Sequence, residues 1–369
     1  MKWKKFWKWE ERMIIEKYNN ISELPEIFCA DLRQAQENFF GDVDWYDLLQ
    51  KHITGPDEKI IYYCILDQRK KIQAVFPLVK SPGKATSGYA LKSLANFYTM
   101  EYIPPITNGP RKSRKVINAF VNYLFHEEKG WVSLDIFPLD ETKLEVIYLR
   151  EKLAMHFPIT SSLCHKNWIY INNNKNFDDY IACSPPRIKD IRREERRVLK
   201  QHEVDFRMYI DDENMENAIQ DYFTVYDNSW KEKENYPEFI PDLIRLCAQK
   251  NMLRLGILYI DGIASAAQLN IFHDNITLIY KLSYQEQYKN LSAGAILSFK
   301  MMQYAFSQDN SRLIDYGCGN DEYKKNWMNH CLRKTTLTAY NNNIPGKYLF
   351  FKRSWKARIK QLLIPTETL

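Results

Sequence analysis

The chain has 369 residues, 45% apolar and 27% charged, with 52 Lys and Arg against 46 Asp and Glu for a net charge of +6. That length, roughly two and a half typical domains of about 150 residues, predicts two domains or one large one, and its 12 Gly and 15 Pro are too few and scattered for a disordered, collagen-like or low-complexity chain. The mild basic excess suits an anionic ligand or a membrane surface without indicating nucleic acid.

Residues 1–11, MKWKKFWKWEE, place Trp3, Phe6 and Trp7 on one helical face and Lys4, Lys5 and Lys8 around the rest. The pattern suits a helix lying on an anionic membrane, and equally a helix capping the fold with its tryptophans inward. The longest apolar runs, such as Ile60 to Leu66, fall far short of the about 18 residues that cross a bilayer, and no apolar core precedes a cleavage site. The chain therefore reads as cytoplasmic, with peripheral contact at the inner membrane face as the alternative.

Two β-rich segments, Lys59 to Leu66 and Lys71 to Val79, flank Asp67-Gln68-Arg69-Lys70 and predict a hairpin. A helix from about Arg114 to Glu127 follows, with Val116, Phe120, Val121, Leu124 and Phe125 repeating at three and four, then a strand from Trp131 to Phe137. After Ser184-Pro185-Pro186 comes RIKDIRREERRVLK, Arg187 to Lys200, with Ile188, Ile191, Val198 and Leu199 as one stripe. Arg187, Arg192, Arg193, Arg196 and Arg197 lie elsewhere, partly offset by Asp190, Glu194 and Glu195. This helix is either a solvated face or an electropositive wall for phosphates; the interleaved acids blunt the counterion release that drives binding to DNA.

Leu253 to Tyr259, Ile263 to Phe272 and Ile276 to Leu282, with turns at Asp261-Gly262 and His273-Asp274-Asn275, predict a three-stranded antiparallel meander. A helix from about Ser292 to Ser307 and a strand from Arg312 to Tyr316 complete the same order as in the first half, which suggests duplication of one α/β unit. Seven dispersed cysteines (Cys29, Cys64, Cys164, Cys183, Cys247, Cys318, Cys331) form no CxxC pair. They argue against a disulfide framework or a zinc site and are expected as small core residues. The 14% of aromatics suits binding grooves or a large aromatic core.

The chemistry concentrates in Tyr284 to Met302, YQEQYKNLSAGAILSFKMM. Ser292 is expected to cap the helix, and Ala293, Gly294 and Ala295 leave its first N–H groups uncovered, a start that can hold a pyrophosphate. GxxxxGK[ST] and GxGxxG are absent, as are GxSxG, HExxH and HRD, so NTPase, dinucleotide, hydrolase, metalloenzyme and kinase readings lack their signatures.

Three strings carry a resemblance: YIDGIASAAQL (Tyr259 to Leu269), YKNLSAGAIL (Tyr288 to Leu297) and, most specific, DYGCGNDEYKKNW (Asp315 to Trp327). Through them Leu253 to Lys324 resembles the acyl-CoA-binding half of the GNAT superfamily of N-acyltransferases. The likeness is to the branch named after cellulose-biosynthesis proteins (CelD/BcsL-type), related to the FemABX aminoacyl transferases. Looser similarity reaches back to Ser229-Trp230-Lys231, the Arg-rich helix, Asn38 to Phe40 and Phe76 to Leu78.

The resemblance implies an α/β (α+β) fold of two tandem GNAT-like domains, each a mixed, mostly antiparallel sheet flanked by helices. The expected division is a basic aromatic helix at 1–12, an N-terminal GNAT-like domain at 13–165, a C-terminal acyltransferase domain at 166–345 and a basic tail at 346–369. It implies acetyl-CoA or a longer acyl-CoA as co-substrate, no metal, and Leu291, Ser292, Ala293, Gly294 and Ala295 as the pyrophosphate loop. Ser-Ala-Gly-Ala replaces the basic residue leading Gly-x-Gly or Gly-x-Ala of single-domain members. Acyl carrier protein or aminoacyl-tRNA thereby stay open as carriers.

Acyl transfer asks for a positioned amine, a donor at the oxyanion and a proton or cation at the departing thiolate. Lys324 offers the cation, or pairs structurally with Asp315 or Asp321. Tyr323 offers a phenol as acid, or packs. Asp315 orients the acceptor amine or Lys324, or caps the Gly-x-Gly turn. Trp230, Tyr280, Lys281 and Tyr284 are candidates for the acceptor site, as opposed to plain packing. The expected acceptor, by resemblance, is a small-molecule or glycan amine such as an amino sugar or amino acid of surface-polysaccharide metabolism. Two other readings stand beside it. One is an aminoacyl-tRNA-dependent ligase; the other is a non-catalytic module on a membrane, anchored by its start and by KYLFFKRSWKARIKQLL, Lys347 to Leu363.

Overall fold

The computed structural model describes residues 13–34, 38–53, 58–83, 88–107, 109–173, 175–211 and 214–363; the basic aromatic segment at 1–12 lies outside them. In chain order the elements are β1 (Ile14–Tyr18), α1 (Glu26–Gln34), α2 (Val43–Ile53), β2 (Lys59–Leu66), β3 (Ile72–Pro82), β4 (Tyr89–Ser93), α3 (Gly109–His126), β5 (Trp131–Asp140), α4 (Leu144–His156) and β6 (Ile159–Ile171). They continue with α5 (Phe177–Cys183), α6 (Pro186–Val198), β7 (Val204–Tyr209), α7 (Met215–Asp227), α8 (Phe239–Gln249), β8 (Leu253–Ile260), β9 (Ile263–His273), β10 (Ile276–Tyr284), α9 (Ala293–Ser307), β11 (Leu313–Cys318), α10 (Glu322–Lys325), β12 (His330–Tyr340) and α11 (Ile344–Leu363).

The chain divides into two compact units, residues 1–164 with 333–369, and residues 165–332. In the first, β1, β2, β3 and β4 pair antiparallel in sequence, β5 lies parallel to β4, and β12 pairs antiparallel with β5. The second repeats this: β7 to β10 pair antiparallel in sequence, β11 lies parallel to β10, and β6 pairs antiparallel with β11. In each unit two helices follow the first strand and one helix joins the parallel pair. The duplication suggested by element order is thus present as topology, in two tandem α/β units.

Burial explains the strand sequences. β8 (LRLGILYI) is apolar almost throughout because α7 and α8 cover one face of the second sheet and α9 the other. The core between that sheet, α5, α6 and α9 gathers Tyr170, Phe177, Tyr180, Phe299 and Phe306, so part of the aromatic excess is simply core. A buried polar chain fastens α9 to β9: Ser298 Oγ donates to Gln268 Oε1 (2.9 Å) and Gln268 Nε2 donates to Asn270 Oδ1 (2.9 Å).

The structure corrects several expectations. Residues 333–345, expected with the second domain, belong to the first unit, and the supposed tail from 346 is helix α11. The predicted hairpin, β2 and β3, is extended by β4 on the side of β3, which was not expected because YALKS is short and neither strictly alternating nor strongly apolar. Leu199 follows the last turn of α6 and is 51% exposed rather than part of its buried stripe. Only Cys29, Cys64 and Cys247 are buried; Cys164, Cys183, Cys318 and Cys331 are exposed thiols.

Candidate functional site

Parallel strands β10 and β11 pair only over Ile276–Leu278 and Leu313–Asp315. Register with β9 slips between Ile279 and Lys281, and β10 then runs on to Tyr284 with no further pairing to β11. A bulge at such a point bends the strand and re-aims its side chains. Beyond the divergence Ser283 buries a hydroxyl that has no hydrogen-bond partner among the described residues.

A two-turn 3₁₀ segment, Glu286–Leu291, carries the chain from β10 to α9. Ser292 joins them in the left-handed region (φ 56°), and its side chain makes no capping bond, contrary to expectation, because that backbone turns the hydroxyl away from the first turn. Ala293 and Gly294 are buried, whereas Leu291, Ser292 and Ala295 are partly exposed. The Tyr284 ring lies against Gly294 and packs on the exposed Trp230 at 4.4 Å between centroids. Helix α6 packs beside α9, with Lys300 Nζ 2.6 Å from Glu195 and the Arg192 guanidinium over the Phe299 ring. Burial works against the Glu194 charge, but bonds from Arg187 and Ser292 and the charge of Arg197 hold its carboxyl below its usual value.

Three lysines from three segments meet in the same unit. Lys281 of β10 pairs with Glu234 and sits 5.7 Å from the Tyr226 ring centre, its pKa lowered chiefly by burial. Lys324 of α10 is 5% exposed; its Nζ donates to the Cys318 carbonyl (2.6 Å), lies 3.3 Å from Asp321 Oδ2 and stands over Tyr316. Lys231 lies 5.8 Å from the Trp230 ring and 5.9 Å from Tyr226, and among the described residues has no carboxylate at ion-pair distance. Burial, then the charge of Lys281, and after the opposing pull of Glu234 that of Lys324, bring its pKa down to about 8.

The Asp-x-Gly-x-Gly string is a structural device around Lys324. Asp315 Oδ1 accepts from the Gly317 amide (2.8 Å), and both its oxygens face Asn167 Nδ2 (3.2 Å). Gly319 has φ 121°, and a Cβ there would stand 2.9 Å from Asp321 Oδ2 and 3.0 Å from Lys324 Nζ, so only glycine leaves room for that pair. Tyr323 is 47% exposed, edge-on to Tyr316 at 5.6 Å, and burial with the Asp321 charge pushes its phenol up to about 12.

Of the sequence-derived residues, Lys324 and Lys281 therefore enter one charged cluster, with Trp230 and Tyr284 as its aromatic neighbours. Tyr323 lies beside it through Tyr316, Asp315 supports its loop, and Tyr280 is buried in β10. Sequence reasoning gave Lys231 no role, although Ser229-Trp230-Lys231 belongs to the looser part of the resemblance, and it missed Glu234; both lie in the irregular loop after α7. Among the described residues no group of three or more His, Cys, Asp or Glu is arranged to hold a metal ion.

Residues 186–325 match the family described as Acetyltransferase (GNAT) domain. This segment runs from α6 through the divergent strands to Lys325, and the match supports an acyltransferase-type enzyme. A comparison with curated proteins finds no match. Among solved structures the chain is similar to FemX (TM-score 0.59, 10% identity, 90% of this chain and 99% of that one). It is also similar to L-PGS from Bacillus licheniformis (TM-score 0.51, 12% identity, 89% and 96%). A third likeness is to the C-terminal domain of a protein described as a lysylphosphatidylglycerol synthetase from Agrobacterium fabrum (TM-score 0.53, 10% identity, 89% and 94%). At these identities the likeness concerns the fold, and it spans both units.

Proposed function

We propose that the chain is an N-acyltransferase that moves an acyl group, acetyl or longer, from acyl-CoA to an amine acceptor by direct attack in a ternary complex. The observation that carries this reading is the lysine cluster beside the divergence of β10 and β11, next to the start of α9. The residues fit such a donor. The end of β10 stays paired with β9 but is past its pairing with β11, and that second edge offers main-chain groups to a peptide-like arm. The amides of Ala293 to Ala295, with the exposed Arg187 and Arg197, would hold a diphosphate. When bound, the donor supplies an activated thioester carbonyl.

The chain's own residues then have distinct work. Lys231, partly neutral near pH 8, takes a proton from the acceptor ammonium, and the amine attacks the carbonyl carbon. The C–N bond forms as the C–S bond breaks, the proton on Lys231 passes to the leaving thiolate, and Lys231, neutral again, takes the remaining proton from the acylated nitrogen and releases it to water, leaving amide and thiol. A thiol ordinarily titrates at about 8.5, so an ammonium near 8 matches it, whereas the Tyr323 phenol, pushed up to about 12, does not. Tyr323 is therefore assigned to the wall, and Lys324, fixed by the Cys318 carbonyl, to the developing negative charge.

A second reading, aminoacyl transfer from tRNA, is favoured by the exposed arginines of α6 and by the full-length likeness to FemX. Thermal-shift titration with CoA, acetyl-CoA and longer acyl-CoAs separates the two. A donor at 100 times its dissociation constant adds about 2.7 kcal/mol, a shift of roughly 5 °C or more for a unit of this size. No shift with any CoA would sink the first reading; tRNA binding that falls steeply with salt would install the second. The acceptor, an amino sugar or amino acid, is proposed on resemblance and is tested by thiol release with candidate amines.

A further inference from the structure

Helix α11 is docked on the first unit by one face. Phe350 packs on Tyr340 at 5.4 Å, Arg353 Nη1 lies 3.2 Å from Asp135 Oδ1, and a Cβ on Gly346 would stand 2.1 Å from the Asn341 carbonyl oxygen. The opposite face is apolar and bare: Ile344 is 84% exposed, Tyr348 56%, Phe351 68% and Trp355 68%. At about 100° per residue these four fall within a stripe roughly 60° wide, pointing away from Gly346, Phe350 and Arg353. Single exposed apolar side chains are ordinary, but four aligned large ones on a rigidly held helix form a patch that needs a partner. Near the start of the stripe, Asn342 donates to the His156 carbonyl (2.7 Å), and the adjoining Met155 is 68% exposed.

The charge around the stripe identifies the partner. Ile344 to Leu363 contains six basic residues and no acidic one. Exposed Lys347 borders one side of the stripe, and Lys352 and Lys356 the other. Among the described residues no helix is long and apolar enough to cross a membrane. Apolar centre, cationic borders and insufficient hydrophobicity to span are together the features of a helix that lies in the interface of an anionic bilayer.

We infer that the outer face of α11 is a docking surface for an anionic lipid bilayer, with Tyr348, Phe351 and Trp355 entering the headgroup region and Lys347, Lys352 and Lys356 meeting lipid phosphates. The inference is independent of the reaction the second unit performs.

Sedimentation of the full chain with vesicles of phosphatidylcholine, alone or mixed with phosphatidylglycerol, tests it. The expected result is binding to the phosphatidylglycerol vesicles only, with release by added salt. Lys347→Glu with Lys352→Glu should weaken that binding by more than about fivefold per lysine. Phe351→Ser with Trp355→Ser should weaken it tenfold or more. Lys347, Lys352 and Trp355 lie off the docked face and Phe351 meets it only edge-on at Phe350 (5.6 Å), so melting temperatures should stay close to the wild type. Absence of vesicle binding, or binding that both variants retain, would overturn the assignment. So would light scattering that shows self-association abolished by the Phe351 and Trp355 changes, since the stripe would then serve a second copy.

Discussion

Tyr284 covers Gly294 so closely that a Cβ on Gly294 would stand 2.7 Å from Cδ1 of the ring. The last residue of β10 thus fixes where α9 begins, and the same ring leans on Trp230 from the loop that carries Lys231 and Glu234. Gly294→Ala should push the ring aside. Overpacking of this kind costs about 1 to 3 kcal/mol. If that strain falls on the donor side, KM for acyl-CoA should rise about tenfold while kcat changes little. An unchanged CoA-induced thermal shift in the variant would show that this turn does not hold the donor.

Lys324 is buried with its ammonium on the Cys318 carbonyl, a placement that keeps one cation rigid in front of the diverging strands. Lys324→Met keeps most of the volume and removes the charge. Loss of one preorganised donor is worth about 3 to 4 kcal/mol in the transition state, so kcat should fall by about two to three orders of magnitude. The CoA-induced thermal shift should persist, separating a catalytic effect from failure to bind. Wild-type turnover would remove Lys324 from the mechanism.

Lys231 gives the reaction its pH dependence. Its pKa is lowered to about 8, so below that pH it is an ammonium that cannot accept a proton, and above it an increasing fraction is neutral. With substrate protonation accounted for, kcat/KM should fall about tenfold per unit below pH 8 and level off above. Lys231→Arg keeps a cation and removes the base, so it should be as inactive as Lys231→Met. Rescue by arginine would mean that the residue binds an anion instead. A readout without turnover is also available: acylation of the Lys231 amine by a small reagent, followed by peptide mass spectrometry, should titrate near 8.

Much of this architecture was visible in continuous apolar runs bounded by turn residues. The hairpin from Lys59, the meander from Leu253 and the helix after Ser292 show such runs because both faces of the strands and most of the helix are buried. β4 and the edge strands β1 and β7 were not legible, since short or half-exposed strands show no such run. Which unit claims β6 and β12 depends on pairing between residues far apart in sequence. The site divides in the same way. The turn at Ser292 and the string from Asp315 to Lys324 are local and stood out. Lys231 becomes distinctive only when folding brings Lys281 and Lys324 near it and removes water, and no spacing rule encodes that.

Glu234 tests whether the cluster acts as a unit. Its carboxylate pairs with Lys281 and also favours the charged form of Lys231, though less than burial and Lys281 disfavour it. Glu234→Gln removes that support, so the Lys231 pKa should drop further and the acid limb of kcat/KM should move to lower pH. Lys281, already below its ordinary value through burial, loses its partner as well. Below the native pKa both amines must be charged in the fold, and above it they need not be, so the stability lost relative to wild type should be largest at low pH and shrink as pH rises. Melting curves of the two proteins from pH 6 to 10 measure this directly. A constant difference across the range, with an unmoved acid limb, would mean that Glu234 does not share its charge with the lysines.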